Sequence, residues 1–280
     1  MSDLWNYDRI TRLLIEAGGI ARDYRQNLRK SLKPDESLVT AADCAIEDLI
    51  VAELEDEAAG VYLIGEETLA GRGEAYLEKA LTGTTFVVDP IDGTVPYAYG
   101  LPYWGISIAL LEDGQLTQGA IHLPDQPAPE IYVSDGDRVR LAEQTAGEWE
   151  WSELTPGVDT SAPLAISQDI ARAGRVLEEI PVHAVGSAVY ELIGLLRGRY
   201  RTYVGSLKLW DLAGCMPLLE RMGVATYHLE DGALRPFGAS VDASHFELEA
   251  GSERRWRLRG WLLAALAEDA EAVRALIELP

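Results

Sequence analysis

Cysteine is scarce in this chain: Cys44 and Cys215 are the only two in 280 residues, and they lie far apart. No disulfide framework is expected, and a reducing compartment, the cytoplasm, is the default. Neither cysteine has a histidine arrangement that suggests nucleophilic catalysis. The four histidines, His122, His183, His228 and His245, show no metal-ligand spacing and read as polar packing. Lysine is also scarce, at positions 30, 33, 79 and 208 only, so positive charge is carried mainly by arginine. There are 24 Lys and Arg against 46 Asp and Glu, a formal net charge of -22. That charge repels nucleic acid and argues against it as a direct partner. The one basic stretch, Arg254, Arg255, Arg257 and Arg259, alternates with Trp256, Leu258 and Gly260 and reads as a strand with a solvated face. No run approaches the ~20 apolar residues of a membrane helix, so no membrane partner is expected. Met1-Ser2-Asp3-Leu4-Trp5 lacks the basic and apolar regions of a secretory leader.

What is present is a large core: 48% of the residues are apolar. That suffices for one large domain or two intimately packed halves. Residues 3 to about 30 read as a helix, with Ile10, Leu13, Leu14, Ala17, Ala21, Tyr24 and Leu28 near one face, broken at Lys33-Pro34-Asp35. A second helix is predicted from Thr40 to Gly60. Strands are predicted at 61–64 and 84–89. Hairpins are predicted at 105–111/118–123 around Asp113-Gly114 and at 131–134/139–141 around Asp135-Gly136. The Gly-, Pro-, Ser- and Thr-rich stretch 145–161 reads as a connection between halves 1–150 and 151–280. Beyond it, strands are predicted at 164–166, 201–204, 224–229 and 261–264, and helices at 187–196, at 208–222 and from 268. Strand and helix runs mix irregularly, which gives an α+β class.

The most informative segment is Asp89-Pro90-Ile91-Asp92-Gly93-Thr94, at the end of the apolar run Thr84–Val88. Carboxylates at a rigid strand end suit a hard cation such as Mg2+. The Gly93 and Thr94 amides that follow suit an anion such as phosphate. Two more acidic signals stand in order around it: Gly65-Glu66-Glu67 after the run Val61–Ile64, and Trp210-Asp211-Leu212-Ala213-Gly214. Each piece alone has a plain reading. Glu66-Glu67 is a solvated acidic pair, Asp89–Thr94 a Pro-containing turn, and Asp211 a helix N-terminal residue. Val39-Thr40-Ala41-Ala42-Asp43 resembles a capping box, and Gly186-Ser187-Ala188 a Ser-capped helix. Trp210 reads as packing, and Lys208 as a solvated lysine at a helix start.

Taken together in this order and spacing, these motifs resemble the inositol monophosphatase family of Mg2+-dependent, lithium-sensitive phosphatases, across most of the chain. The resemblance implies a layered αβαβα sandwich with the metal site between the two halves, and a homodimer. It implies metal ligation by Glu66, Asp89, the Ile91 carbonyl, Asp92 and Asp211, with Asp89 bridging two Mg2+ and Glu67 near a third. It implies that Glu66, Thr94 and Asp43 carry catalysis, Thr94 and Asp43 by orienting a water. Asp92, Gly93, Thr94, Gly186, Ser187 and Ala188 would hold phosphate and substrate. The implied reaction is hydrolysis of a small phosphorylated metabolite, inositol monophosphate first. The alternatives are histidinol phosphate, 3'-phosphoadenosine 5'-phosphate, or a non-catalytic regulatory role on the same fold. Where inositol-cleaving members carry a Glu seven residues before the last Asp, this chain has Val204, which cannot accept a hydrogen bond.

Overall fold

The computed structural model describes residues 4–26, 30–32, 38–157, 159–230 and 232–280. Its first helix, α1 (Tyr7–Arg25), buries the stripe Ile10, Leu13, Leu14, Ala17 and Ala21. It is shorter than the 3–30 expectation because Asn6 caps it, its side chain accepting from the Arg9 amide at 2.9 Å. The predicted break at Lys33-Pro34-Asp35 lies outside the described residues. β1 (Lys30–Leu32) and β2 (Leu38–Thr40) form a small antiparallel pair. α2 (Ala41–Leu54) also ends earlier than its predicted limit of Gly60. Asp56 and Val61 instead exchange backbone hydrogen bonds, with the Asp56 carboxylate accepting from Ala59, so the chain turns back immediately into a strand.

That strand, β3 (Val61–Gly65), opens a seven-stranded sheet: β3, β4 (Thr84–Asp92), β5 (Gly105–Glu112), β6 (Gln115–Leu123), β7 (Glu130–Asp135), β8 (Arg138–Thr145) and β9 (Glu148–Glu153), in that order. Only β3 and β4 run parallel. The β5–β6 turn has positive φ at both Asp113 and Gly114, the conformation that Asp-Gly hairpins favour. β9 occupies part of the stretch read as a connection. Ala146 and Gly147, both at positive φ, fold it back onto β8 as a hairpin. Helix α3 (Glu74–Thr82) joins β3 to β4, and the five-residue α4 (Thr94–Ala98) follows β4.

A second, six-stranded sheet has the order β12-β10-β13-β16-β14-β15. Its strands are β10 (Leu164–Ile166), β12 (Val182–His183), β13 (Thr202–Gly205), β14 (Ala225–Glu230), β15 (Ala233–Pro236) and β16 (Trp261–Ala265). β11 (Arg175–Val176) pairs with β17 (Ile277–Glu278) at one side. The helices of this half are α5 (Gln168–Ala173), α6 (Ala188–Leu196), α7 (Leu209–Ala213), α8 (Met216–Arg221) and α9 (Ala270–Ala275). The predicted single helix 208–222 is two helices, divided at Gly214-Cys215. The Arg254–Gly260 segment is turns rather than a strand, with Trp256 at φ 71°.

Three cores stack these parts in αβαβα order. α1 and α2 place Ile10, Leu14, Ile46 and Ile50 against Phe86, Val88, Ile106 and Ile108 on one face of the large sheet. Val87, Ala109 and Ile121 face the other way, onto Leu192, Leu212 and Leu218 of α6, α7 and α8. β4 is therefore buried on both faces, which is why its sequence is a continuous apolar run. The middle helices then meet the small sheet, whose far face packs Leu164, Val204 and Leu263 against Ile170 and Val273 of α5 and α9. Each such fully buried Leu, Ile or Val contributes about 1.5–3 kcal/mol.

Candidate active site

Three strand and helix ends converge on one cleft. β3 and β4 are parallel and in register, Gly65 opposite Val88, so Glu66 leaves β3 beside Asp89. Asp89 and Asp92 are three residues apart and would point to opposite faces of a regular strand. The ladder to β5 resolves this: Asp89 pairs with Ser107 and Asp92 with Gly105, so β4 carries one extra residue between them. Pro90, which has no amide to donate, sits in that bulge. The bulge turns both carboxylates to the same side. α7 brings the third: Asp89, Asp92 and Asp211 each offer an oxygen, and these lie within 4.8 Å of one another.

Each carboxylate is held by backbone or hydroxyl donors. Asp92 accepts from Ser187 Oγ and from the Val189 amide at 2.8 Å. Ser187 is also the α6 N-cap, accepting from Tyr190 N at 3.1 Å. The hydroxyl expected to hold substrate therefore ties α6 to β4. Gly93 (φ 88°) permits that approach: a Cβ there would lie 2.8 Å from Ser187 Cβ and from the Tyr103 carbonyl oxygen. Asp211 accepts from the Lys208 amide at 2.8 Å. The Asp89 carboxylate accepts from Ile91 N at 3.1 Å.

Asp43 combines the two roles open to it in the sequence. It completes a capping box, with its carboxylate accepting from Thr40 N at 2.8 Å and from the Thr40 hydroxyl. Its other oxygen is 3.5 Å from the Thr94 hydroxyl, which also donates to the Ile91 carbonyl at 3.2 Å.

The electrostatics call for a cation. Burial pushes Asp89 well above the ordinary carboxylate range, and the charges of Glu66, Asp92 and Asp211 add to it. Asp92 is pushed up to about 8 by burial and by Asp211. Asp211 rises to about 6 through burial and Glu66, although the Lys208 amide and the Lys208 and Arg257 charges oppose this. Asp43 is pushed up to about 7 by burial. Clustered buried carboxylates favour protons unless a cation replaces them. An all-oxygen donor set of this charge fits a hard divalent ion.

Four features of the site escaped the sequence reading. Glu47, one turn beyond Asp43 on the buried face of α2, accepts from the Glu67 and Thr68 amides at 2.9 and 2.6 Å and so fixes the Glu66-Glu67 turn. Gly65 makes room for it, since a Cβ there would lie 2.3 Å from Glu47 Oε1. An acidic residue among Ile46 and Ile50 was the available signal. Glu191, fully buried on α6, accepts from Val185 N at 3.0 Å and lines the cleft. Lys208 is not simply solvated: its ammonium lies 3.4 Å from Glu66 Oε1 and over the Trp210 ring. Arg257 also lines the cleft. Val204, by contrast, is buried in the outer core, and its neighbour Tyr203 is the β13 residue that reaches the cleft.

A converging set of buried carboxylates at strand and helix ends, of a kind that could hold a metal, is the site of a metal-dependent phosphatase class. The sequence profile of the inositol monophosphatase family matches residues 7–271, and the chain belongs to that family. It is 27% identical over 231 residues to an inositol-1-monophosphatase of Mesorhizobium japonicum, covering 76% of this chain and 81% of the relative. A 98-residue stretch is 39% identical to a histidinol-phosphatase of Mycobacterium tuberculosis, 35% of each chain. A staphylococcal inositol monophosphatase-1 structure superposes with a TM-score of 0.70 at 16% identity, covering 99% of this chain and 96% of that one. That likeness concerns the fold.

Proposed function

We propose that the protein is a Mg2+-dependent phosphomonoesterase acting on a small phosphorylated metabolite. The observation that carries this reading is the β4 bulge, which sets Asp89 and Asp92 on one face, with an Asp211 oxygen within 4.8 Å of theirs. Asp89, Asp92, Asp211, Glu66 and the Ile91 carbonyl would hold the metal. When bound, Mg2+ supplies positive charge and Lewis acidity to the phosphoryl oxygens.

The remaining work falls to the chain. Amides of Gly93 and Thr94, at the start of α4, hold phosphate oxygens. The Thr94 hydroxyl directs its one proton toward the Ile91 carbonyl at 3.2 Å and Asp43 at 3.5 Å, which leaves its lone pairs to orient a water. Asp43 is the adjacent acceptor for that water's proton. Asp92 is kept in line by Ser187 and Val189. Inositol monophosphate is the substrate that the family membership favours. Histidinol phosphate is the second candidate, because a 98-residue stretch is 39% identical to a histidinol-phosphatase.

Phosphate release from myo-inositol 1-phosphate, histidinol phosphate and 3'-phosphoadenosine 5'-phosphate, with and without Mg2+, tests this. Mg2+-dependent turnover of any one supports the chemistry. Absence of turnover for all three with Mg2+ demonstrably bound refutes it for these substrates and favours the regulatory role.

A further inference from the structure

The cleft that holds Asp92 and Asp211 has a second wall, to which Ser167, Glu191 and Tyr203 belong, and the whole cleft encloses about 220 Å³. Tyr203 comes from β13 and Glu191 from α6, whereas β4 and α7 carry the three clustered aspartates. This wall is therefore built separately from the metal cluster it faces.

Buried polar groups are normally paired inside the fold. Of the four buried tyrosines, three obey this. Tyr97 donates to the Ala21 carbonyl at 2.6 Å, Tyr132 donates to Glu130 at 2.7 Å, and the Tyr200 hydroxyl lies 3.3 Å from His183 Nδ1. Tyr203 is only 1% exposed, yet among the described residues its hydroxyl has no hydrogen-bond partner.

The buried carboxylates outside the metal cluster repeat the contrast. Glu47 uses both oxygens on the Glu67 and Thr68 amides. Glu130 uses both on Arg199 and Tyr132, and Asp269 uses both on Arg201. Glu191 uses Oε1 on the Val185 amide, and its Oε2 has no hydrogen-bond partner among the described residues.

The two unpartnered tips share a location. The Tyr203 hydroxyl sits at the cleft end of β13: a Cβ at Gly205 would run into it and would lie 3.0 Å from Ser167 Cβ. Ser167 Oγ is itself buried without a partner. Burial raises the Tyr203 phenol well above its ordinary range and the nearby Glu191 charge adds to this, so the hydroxyl keeps its proton. Val204, next along the strand, faces the outer core instead. A phenol and a carboxyl oxygen offer a donor and acceptors to a polar group that enters the cleft. A few convergent polar groups on an otherwise packed wall are what orients a small ligand.

We infer that Tyr203 and Glu191 select the leaving group of the substrate by hydrogen-bonding an O–H or N–H that it carries. This rests on the phosphomonoesterase reading. The competing role is structural: Tyr203 only fills the core beside α6 and Glu191 only holds the Val185 turn, and neither would distinguish one leaving group from another.

The test uses pairs matched in carbon skeleton: myo-inositol 1-phosphate against cyclohexyl phosphate, and phosphoethanolamine against ethyl phosphate. The first pair tests hydroxyls and the second an ammonium. kcat/KM for phosphate release with Mg2+ is measured in the wild type, Tyr203→Phe and Glu191→Gln. Tyr203→Phe keeps the ring, and Glu191→Gln keeps an oxygen for the Val185 amide, so both should fold, which circular dichroism checks. In at least one pair the polar member should be preferred about tenfold, and each variant should cut that ratio by about threefold or more. No preference in either pair overturns the inference. A ratio that survives substitution, both members losing rate equally, assigns that residue the structural role and overturns its part in selection. Should no compound be hydrolysed, the phosphatase reading fails on its own, and calorimetric affinity for the same pairs with Mg2+ still decides the wall. About tenfold tighter binding of a polar member, lost in the variants, supports the inference, and equal binding overturns it.

Discussion

Gly119 on β6 and Gly214 after α7 meet backbone to backbone, and this contact seats the helix that carries Asp211. A Cβ added at Gly119 would lie 2.1 Å from the Gly214 carbonyl oxygen, 2.9 Å from its carbonyl carbon and 3.3 Å from its Cα. To restore an ordinary contact of 3.4 Å from 2.1 Å, one element must retreat by about 1.3 Å. Neither can do so cheaply, because the opposing atoms are main chain. Overpacking costs about 1–3 kcal/mol, and Gly119→Ala should fall at the upper end. Asp211 lies three residues before Gly214, so the same displacement moves it relative to Asp89 and Asp92. A misplacement of about 1 Å can cost roughly 100-fold in rate. Urea unfolding, calorimetric Mg2+ affinity and Mg2+-dependent phosphate release would all be measured. Gly19→Ala is the control: nothing lies within 4 Å of its Cβ position in α1, so it should stabilise by roughly 0.5–1 kcal/mol. The reasoning fails if Gly119→Ala unfolds within about 0.5 kcal/mol of wild type with unchanged Mg2+ affinity.

Asp89→Asn should lower the Mg2+-dependent rate by about 1000-fold, since several kcal/mol of metal-derived stabilisation depend on this ligand. Without metal the same variant should be more stable than wild type, because it removes one of several crowded buried charges. Wild type should gain about 2.7 kcal/mol at a Mg2+ concentration 100 times Kd and lose it to EDTA; a variant that still shows that gain would contradict the assignment. Ser187→Ala removes both the α6 cap and the hydroxyl on Asp92, and should cost about 1–2 kcal/mol in denaturant unfolding and weaken Mg2+ binding. If stability falls but Mg2+ affinity does not, Ser187 is a cap alone. His122 is buried and neutral against the Leu14 carbonyl, with its pKa lowered from 6.5 to about 4 by burial. The unfolded chain therefore takes the proton first, so this contribution is full above pH 6.5 and fades as pH falls towards 4, by about 3 kcal/mol in all. In His122→Gln the decline in stability between those limits should be shallower by that amount; parallel curves for the two proteins would refute the origin.

The local chemistry of the site was legible in the chain because it is written in contiguous motifs. A buried parallel strand needs an unbroken apolar run, so Thr84–Val88 could be read as one, and the carboxylates at its end followed directly. Thr40 and Asp43 announced a helix start by spacing alone, and Asp113-Gly114 a turn by its tolerance of positive φ. Element ends were misread where a distant partner decided them. α2 stops at Leu54 because Asp56 finds Val61, and the expected connection at 145–161 contains β9 because β8 offers an open edge.

The sequence by itself determined which residue types were available for a metal and a phosphate, and that the family's ordered motifs were complete. Only the tertiary structure decided how they act together. Strand alternation would set Asp89 and Asp92 on opposite faces, and a one-residue bulge paired against β5 puts them on one. Glu47 and Glu191 look like ordinary helix residues until burial shows what they hold. Arg254 and Arg257 resemble a solvated strand in sequence, yet their position beside the cleft depends on a turn anchored by residues some fifty positions earlier, Leu207 and Leu209. Motifs are local and can be read along the chain, whereas burial and register arise only from contacts between distant segments.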